Sequence, residues 1–262
     1  MKALVTAGPT YEHIDPVRFI GNHSSGKMGI EIAERLKELG YEVVLVIGPT
    51  HLTSSDGIRR IDVVSADQMY DACMKEFSTC DVAIMSAAVA DYKPSMCSDK
   101  KIKRNDDKLT IELIPNKDIA AELGKIKNPT QKLIGFALET NDGVDNAIRK
   151  IQSKNLDMIV LNQIGDPGVG FKFDTNKVTI IKPKDIYKTI AMRTHLDSLR
   201  GLQYCLARYE KDLEKVPNSI FYQSLVKSTT NQIVEWRNMF FDRKEFETKS
   251  KTEVAKDIID NI

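Results

Sequence analysis

Between residues 1 and 182, short and nearly unbroken apolar runs alternate with amphipathic segments of helical period. The runs are "KALVTA", "YEVVLVIG", "RRIDVV", "DVAIMSAAVA", "KLTIEL", "KLIGFAL", "DMIVLN" and "KVTIIK". Residues 27–39 set Met28, Ile30, Ile32, Ala33 and Leu36 at helical spacing, with Gly40 as the stop. "ADQMYDACMKEF", the stretch from Asp118 to Ile126, and "VDNAIRKIQSKN" read as further helices. Strands without polar alternation, separated by helices, are buried on both faces of a parallel sheet. With right-handed crossovers this predicts an α/β fold: a Rossmann-like, doubly wound, mostly parallel sheet. Ligands of such sheets bind beyond the carboxyl ends of the strands. The unusual loops follow "ALVTA", "AIMSAAVA" and "LIGFALET", all at such ends.

The first loop, "GPTYEHIDPVRFIGNHSSGKMG", is long for a strand-to-helix connection, and long connections in compact domains tend to be functional. Gly21 and Gly26 are expected to turn backbone N–H groups inward at positive φ, making a phosphate nest with Gly8. Ser24 and Ser25 add hydroxyls, the helix beginning near Gly26 adds its positive dipole end, and Arg18 offers a planar fork. The alternative is an idle glycine-rich connection. A dinucleotide fingerprint is absent, and Met28 after Lys27 breaks the P-loop pattern.

In the second loop, small residues at Ala87, Ala88 and Ala90 admit a flat ligand to the backbone. Asp91 can bind a hydroxyl, a base amine or a magnesium-bound phosphate. "KKIKR" is either a solvated patch or the end of a projecting hairpin arm, with "NDDK" as its turn and "LTIEL" as its return strand. Lys150 and Lys154 share one helix face, solvated unless it meets a ligand. Phe136 is either core or a platform for a base.

Residues 184–246 differ in character. They read as a helical hairpin broken at Pro217 and Asn218, carrying the one tryptophan, Trp236. The expected organisation is a ligand-binding domain of residues 1–183 plus 247–262, with 184–246 inserted as an accessory. The final "KTEVAKDIIDNI" should pack back on the sheet. The formal net charge of +1 gives no reason to expect nucleic acid or an acidic membrane surface. No apolar run reaches membrane length. Cys73, Cys80, Cys97 and Cys205 lack metal spacing, which points to a reducing cytoplasm.

The motifs "LVTAGPTYEHIDPVRFIGNHSSGKMG", "AAVADYKP", "KIKR", "GFALET", "KIQSKNLDMIVLN" and "GFKFDTNKVTII" together closely resemble phosphopantothenoylcysteine synthetase, often the carboxyl-terminal half of a bifunctional coenzyme A biosynthesis flavoprotein. The resemblance covers residues 1 to about 182 and the last segment. It fits a standalone synthetase or a domain excised from a longer chain. It implies a ligase in which CTP activates 4′-phosphopantothenate to an acyl-cytidylate and L-cysteine displaces CMP. It also implies Mg2+ carried with the nucleotide rather than in a protein cage, and a homodimer joined by protruding strands. Residue by residue, Asn22 matches the essential asparagine at the intermediate and Lys101 the mobile lysine over the nucleotide. Met85, Ser86, Ala87, Asp91, Lys117, Asp118, Ile119, Ala120, Phe136, Lys150 and Lys154 match nucleotide contacts. Lys117 stands where the family has proline. Two rival classes are a non-catalytic nucleotide-binding module, which has no need of Asn22 and Lys101, and a nicotinamide oxidoreductase, which lacks its fingerprint.

Overall fold

The computed structural model describes residues 1–104, 108–139, 141–163, 173–185 and 192–262. Asn105 to Asp107 of the expected arm turn, Thr140, residues 170–172 and Ile190 lie outside the described residues. In chain order the elements are β1 (Lys2–Ala7), β2 (Tyr11–His13), β3 (Phe19–Gly21), α1 (Lys27–Glu38), β4 (Glu42–Ile47), β5 (Arg59–Asp62), α2 (Ala66–Phe77), β6 (Val82–Met85), β7 (Tyr92–Pro94), β8 (Leu113–Pro115) and α3 (Ile119–Ile126). They continue as β9 (Lys132–Glu139), α4 (Gly143–Ser153), β10 (Met158–Gln163), β11 (Thr175–Asn176), β12 (Val178–Pro183), α5 (Met192–Lys215), α6 (Ile220–Phe240), β13 (Phe241–Glu245), β14 (Lys249–Ser250) and α7 (Lys251–Ile259).

An eight-stranded sheet has the order β13-β12-β10-β9-β6-β1-β4-β5. From β5 to β10 every neighbouring pair is parallel. The chain therefore winds outward from β1 to β5, returns, and winds the other way from β6. The reversal falls between β1 and β6, and a crevice opens there beyond the carboxyl ends. Val5, Leu45, Ile84, Ile134 and Val160, on successive strands of this run, are at most 1% exposed. Removing apolar surface on this scale from water is what holds the sheet, at roughly 25 cal/mol per Å² buried.

Local signals place the helices. Ser65 and Gln68 form a capping box at the start of α2, satisfying two donors that a helix end leaves unpaired. Ser250 and Glu253 do the same for α7. Val254, Ala255 and Ile258 of α7 join the cluster that contains Ile30, Ala33 and Leu36 of α1. The last segment thus returns to the sheet domain, as its pattern predicts.

Three expectations are corrected. The first loop is not a single connection: β2 and β3 pair antiparallel within it, and the Tyr11 and Phe19 rings stack at 3.8 Å. β6 stops at Met85, so the alanines of "DVAIMSAAVA" form a loop instead of a strand. They turn aside because Ala88 N–H donates to Gly8 O at 2.9 Å and Ala90 N–H to Thr10 Oγ1 at 2.9 Å. The arm exists as the antiparallel pair β7–β8, but its return strand is Leu113–Pro115, at the end of "KLTIEL" and beyond.

The chain divides into two compact units, residues 1–180 with 245–262, and residues 181–244. The second holds α5 and α6, which pack on each other, and β13, a strand where a helix pair was expected. Trp236, Phe240 and Phe241 cluster with ring centroids 5.0 and 6.1 Å apart. Among the described residues no helix is long and apolar enough to cross a membrane.

Candidate active site

A cavity of about 450 Å³ lies at the carboxyl ends of β1, β6 and β9, on the reversal point of the sheet. Each wall comes from a different loop. Met85, Ser86, Ala87 and Asp91 line it from the segment after β6, and Asn22 from the first loop. Lys117, Asp118, Ile119 and Ala120 come from the start of α3, and Phe136 from β9. Lys150 and Lys154 come from the end of α4. All these residues were singled out from the sequence, and one space collects them.

The alanine loop is stitched to β1 by side chains that point along the sheet edge. Thr6 Oγ1 accepts from Ala87 N–H at 3.2 Å, and Ser86 Oγ donates to Thr6 O at 2.5 Å. Asn22 Nδ2 donates to Ala88 O at 2.9 Å and Val89 O at 3.2 Å. Asn22 therefore joins the first loop to the cavity wall, its amide N–H groups both engaged. Across the cavity, Lys150 Nζ lies 2.5 Å from Glu139 Oε1, and Lys154 Nζ lies 2.9 Å from Asp118 Oδ2. The other Asp118 oxygen caps α3 by accepting from Ala121 N–H at 3.1 Å. Lys117, the departure from proline, leaves that cap intact, and its ammonium sits 4.2 Å above the Tyr70 ring. Phe136 packs against the core with part of its ring and lines the cavity with the rest.

The glycine loop meets a second, smaller space of about 70 Å³, lined by Ser24, Ser25 and Gly26 and sharing Ser86, Phe136, Leu138 and Asn162 with the larger one. Gly26 has φ +83° and Gly8 φ +75°. A Cβ on Gly26 would lie 3.2 Å from Gly8 N, so the two ends of the first loop meet backbone to backbone. Gly8 supports the nest from behind and lines neither space. Gly21 does not have the expected positive φ. It lies in β3, where a Cβ would stand 2.7 Å from the Tyr11 ring, so packing demands the glycine.

Arg18 and Lys101 lie outside both cavities. Arg18 Nε and Nη2 donate to Asp15 Oδ2 at 3.0 and 2.5 Å, and Nη2 also reaches Ile102 O at 2.7 Å. The fork expected for an anion is thus held by an internal carboxylate. Asp15 is fully buried. It also accepts from Val17, Arg18 and Ile102 N–H. The Arg18 guanidinium foremost, with these amides, holds its carboxyl far below the ordinary carboxylate range. Lys101, exposed, is the residue before this anchored Ile102.

Residues 1–198 match the family model of the DNA/pantothenate metabolism flavoprotein C-terminal domain. The chain belongs to this family. It is 52% identical over 194 residues to a cysteine/cysteine sulfinic acid decarboxylase of an unknown prokaryotic organism, covering 74% of this chain and 54% of that protein. It is 45% identical over 181 residues to the coenzyme A biosynthesis bifunctional protein CoaBC of Vibrio cholerae, covering 68% and 45%. The chain thus spans about half the length of the curated relatives it matches. The crystal structure of the C-terminal domain of a CoaBC protein superposes with a TM-score of 0.67 at 32% identity, covering 99% of this chain and 92% of that one.

Within this family fold, three side chains that sequence reading passed over belong to the site. Asn116 lines the larger cavity; its Nδ2 donates to Ala90 O at 2.8 Å, and its buried Oδ1 has no hydrogen-bond partner among the described residues. Its position just before "KDI" was the available signal. Asn162 lines both spaces at the end of β10. Lys251 lines the smaller one from α7, and in sequence it looks like any solvated helix lysine. Among the described residues no group of three His, Cys, Asp or Glu could hold a metal ion.

Proposed function

We propose that this chain joins 4′-phosphopantothenate to L-cysteine at the expense of CTP, in coenzyme A biosynthesis. The observation that carries the reading is the convergence of the Met85–Ala87 loop, the α3 start, Phe136, Lys150 and Lys154 on one cavity at the sheet's reversal point. Lys150 and Lys154 supply positive charge for a triphosphate. The small residues after β6 and the Phe136 ring suit a flat base. The acceptor Asn116 Oδ1, unpartnered among the described residues, suits an exocyclic amine such as that of cytosine.

In the first step a carboxylate oxygen of 4′-phosphopantothenate attacks the α-phosphorus of CTP. The bond to the β-phosphate oxygen breaks, and pyrophosphate leaves. In the second, the cysteine amine attacks the acyl carbon, CMP departs with the bonding pair, and the amine loses a proton. Asn22 lines the cavity, and the family resemblance assigns it to the acyl intermediate. Its amide serves the developing charge by releasing the longer of its two bonds, to Val89 O, toward the acyl oxygen. Lys101 neighbours the anchored Ile102 on the arm, and by the family resemblance its cation would close over the phosphates.

Mg2+, when bound with the nucleotide, would neutralise phosphate charge. The Asp91 carboxylate on the cavity lining, with no partner among the described residues, fits an ion held by one carboxylate and substrate oxygens. A second copy of the chain fits the arm, which exposes Tyr92, Met96, Leu113 and Ile114. A reducing cytoplasm is the expected setting, with all four cysteines free. The test is incubation with 4′-phosphopantothenate, L-cysteine and each nucleoside triphosphate in turn. Pyrophosphate and CMP appearing with the thiol product support the reading; nucleotide bound and returned unchanged would refute it.

A further inference from the structure

Beside the larger cavity stands a charge of the wrong sign for a nucleotide. Glu139 ends β9, the strand that also supplies Phe136. Its Oε1 lies 2.5 Å from Lys150 Nζ, and Asn146 Nδ2 donates to its Oε2 at 2.7 Å. The acid is thus in contact with an ammonium offered to a triphosphate, and like charges a few ångströms apart repel. The neighbouring acid has a second duty: Asp118 caps α3 through Ala121 N–H while it pairs with Lys154. Glu139 has no such duty. Among the described residues its carboxylate meets only Lys150 and Asn146, and it caps no helix.

The surroundings fix the acid and leave the cation accessible. Asn146 Oδ1 accepts from Arg149 Nη2, which orients the amide so that its Nδ2 serves Glu139 and, at 3.1 Å, Asn141 O. The Glu139 side chain is 15% exposed and that of Lys150 35%. Lys150 lines the cavity, and Glu139 does not. Lys150 sits in the last turn of α4, and its ammonium rides a flexible four-carbon stem. The lysine is therefore the partner that can turn to a ligand, and the carboxylate is the partner that waits.

We infer that Glu139 is an internal counter-anion that competes with the pyrophosphate portion of the nucleotide for Lys150, and so speeds the departure of pyrophosphate once the acyl group is activated. Glu139 is a positioning residue, acting through Lys150. The inference rests on the ligase reading for the identity of the leaving group. An internal ligand lowers the apparent affinity for an external one by the fraction of time that the shared group is free. Pyrophosphate is therefore held less tightly than Lys150 and Lys154 alone would hold it, which keeps the product from being trapped.

The experiment compares the full-length chain with E139Q and E139D. E139Q keeps the shape and loses the charge; E139D keeps the charge and withdraws it from Lys150 by one methylene. Pyrophosphate binding is measured by calorimetry, and KM and inhibition by added pyrophosphate by steady-state assay. E139Q should bind pyrophosphate about three- to tenfold more tightly, the scale of one partly exposed ion pair. Its KM for CTP should fall in the same direction, with the KM for cysteine within about twofold of native. A merely structural role would loosen binding, not tighten it. Unchanged or weaker pyrophosphate binding by E139Q with native circular dichroism overturns the proposal. So does equal tightening by E139Q in a K150M background, since Glu139 would then act by direct repulsion and not through Lys150. If E139Q loses its native circular dichroism, E139D decides by the same titration: binding tighter than native supports the proposal, and unchanged or weaker binding overturns it. If E139Q binds pyrophosphate more tightly, yet neither it nor the native chain makes product from 4′-phosphopantothenate, the competition at Lys150 stands and the ligase reading falls.

Discussion

Lys150 and Glu139 close an ion pair at 2.5 Å on the cavity wall, and one helical turn further Lys154 pairs with Asp118 at 2.9 Å. Both lysines are held toward the ligand space by acids of the same protein, so an incoming triphosphate exchanges one anion for another and need not order a free side chain. K150A and K154A should each raise the KM for CTP by about tenfold while leaving the KM for cysteine within about twofold. A CTP dependence identical to that of the native chain in both variants would return the pair to an ordinary solvated face.

Asn22→Asp puts an anion against the carbonyl oxygens of Ala88 and Val89, which accept from the native amide. The variant should keep its circular dichroism, since Asn22 is exposed and, among the described residues, its side chain bonds only to this loop. Product formation should fall about 100- to 1,000-fold, the usual cost of one lost oxyanion donor. Steady-state synthesis near the native rate would remove Asn22 from the chemistry.

Asp15 and Arg18 grip Ile102 from both sides, through its N–H and its C=O. Asp15→Asn should free the segment that carries Lys101, and limited trypsin treatment should then cut at residues 100–104 several-fold faster than in the native chain. The folded-state pKa of Asp15 is depressed. Its contribution is therefore fully present above the unfolded value of about 3.9, and is lost only as the pH falls below that toward the folded value. Amide hydrogen exchange at Ile102 should accordingly show constant protection between about pH 5 and 8, apart from the intrinsic rate. Protection that collapses near pH 6 would place the anchor elsewhere.

How much of this could be read from the sequence follows from the range of each interaction. α2 was readable because Ser65, Gln68 and a helical stripe lie within one short window. The parallel run β5 to β10 was readable because burial on both faces leaves unbroken apolar runs. β2 and β3 were not, since three-residue strands carry no period, and what joins them is the stacking of Tyr11 on Phe19. Met85 gives no sign that its strand ends there; the signal is Thr6 and Thr10, which capture the following amides some eighty residues away in sequence. Arg18 suits an outside anion by type, and only the fold shows Asp15 already holding it. Lys251 escaped because its burial comes from the packing of α7 on α1, not from its neighbours in sequence.

The helical unit should be removable by a shorter cut than its sequence boundaries suggest. Lys184 N–H donates to Phe240 O at 2.9 Å, so the chain entering the helices and the chain leaving them are hydrogen-bonded neighbours. Replacing residues 186–239 by an Asn-Gly turn would join these ends and keep β12 and β13, whereas cutting at 184 and 246 would delete β13. None of the residues lining either cavity lies in the deleted stretch. The shortened protein should be soluble and form product with a kcat within about threefold of the native value. Some stability should be lost, since removing Trp236 takes from Phe240 and Phe241 the ring that both pack against, at a cost of about 1–3 kcal/mol. A shortened chain that folds and binds CTP by calorimetry, yet forms no product, would show that the helices take part in the chemistry, and their reading as an accessory would fail.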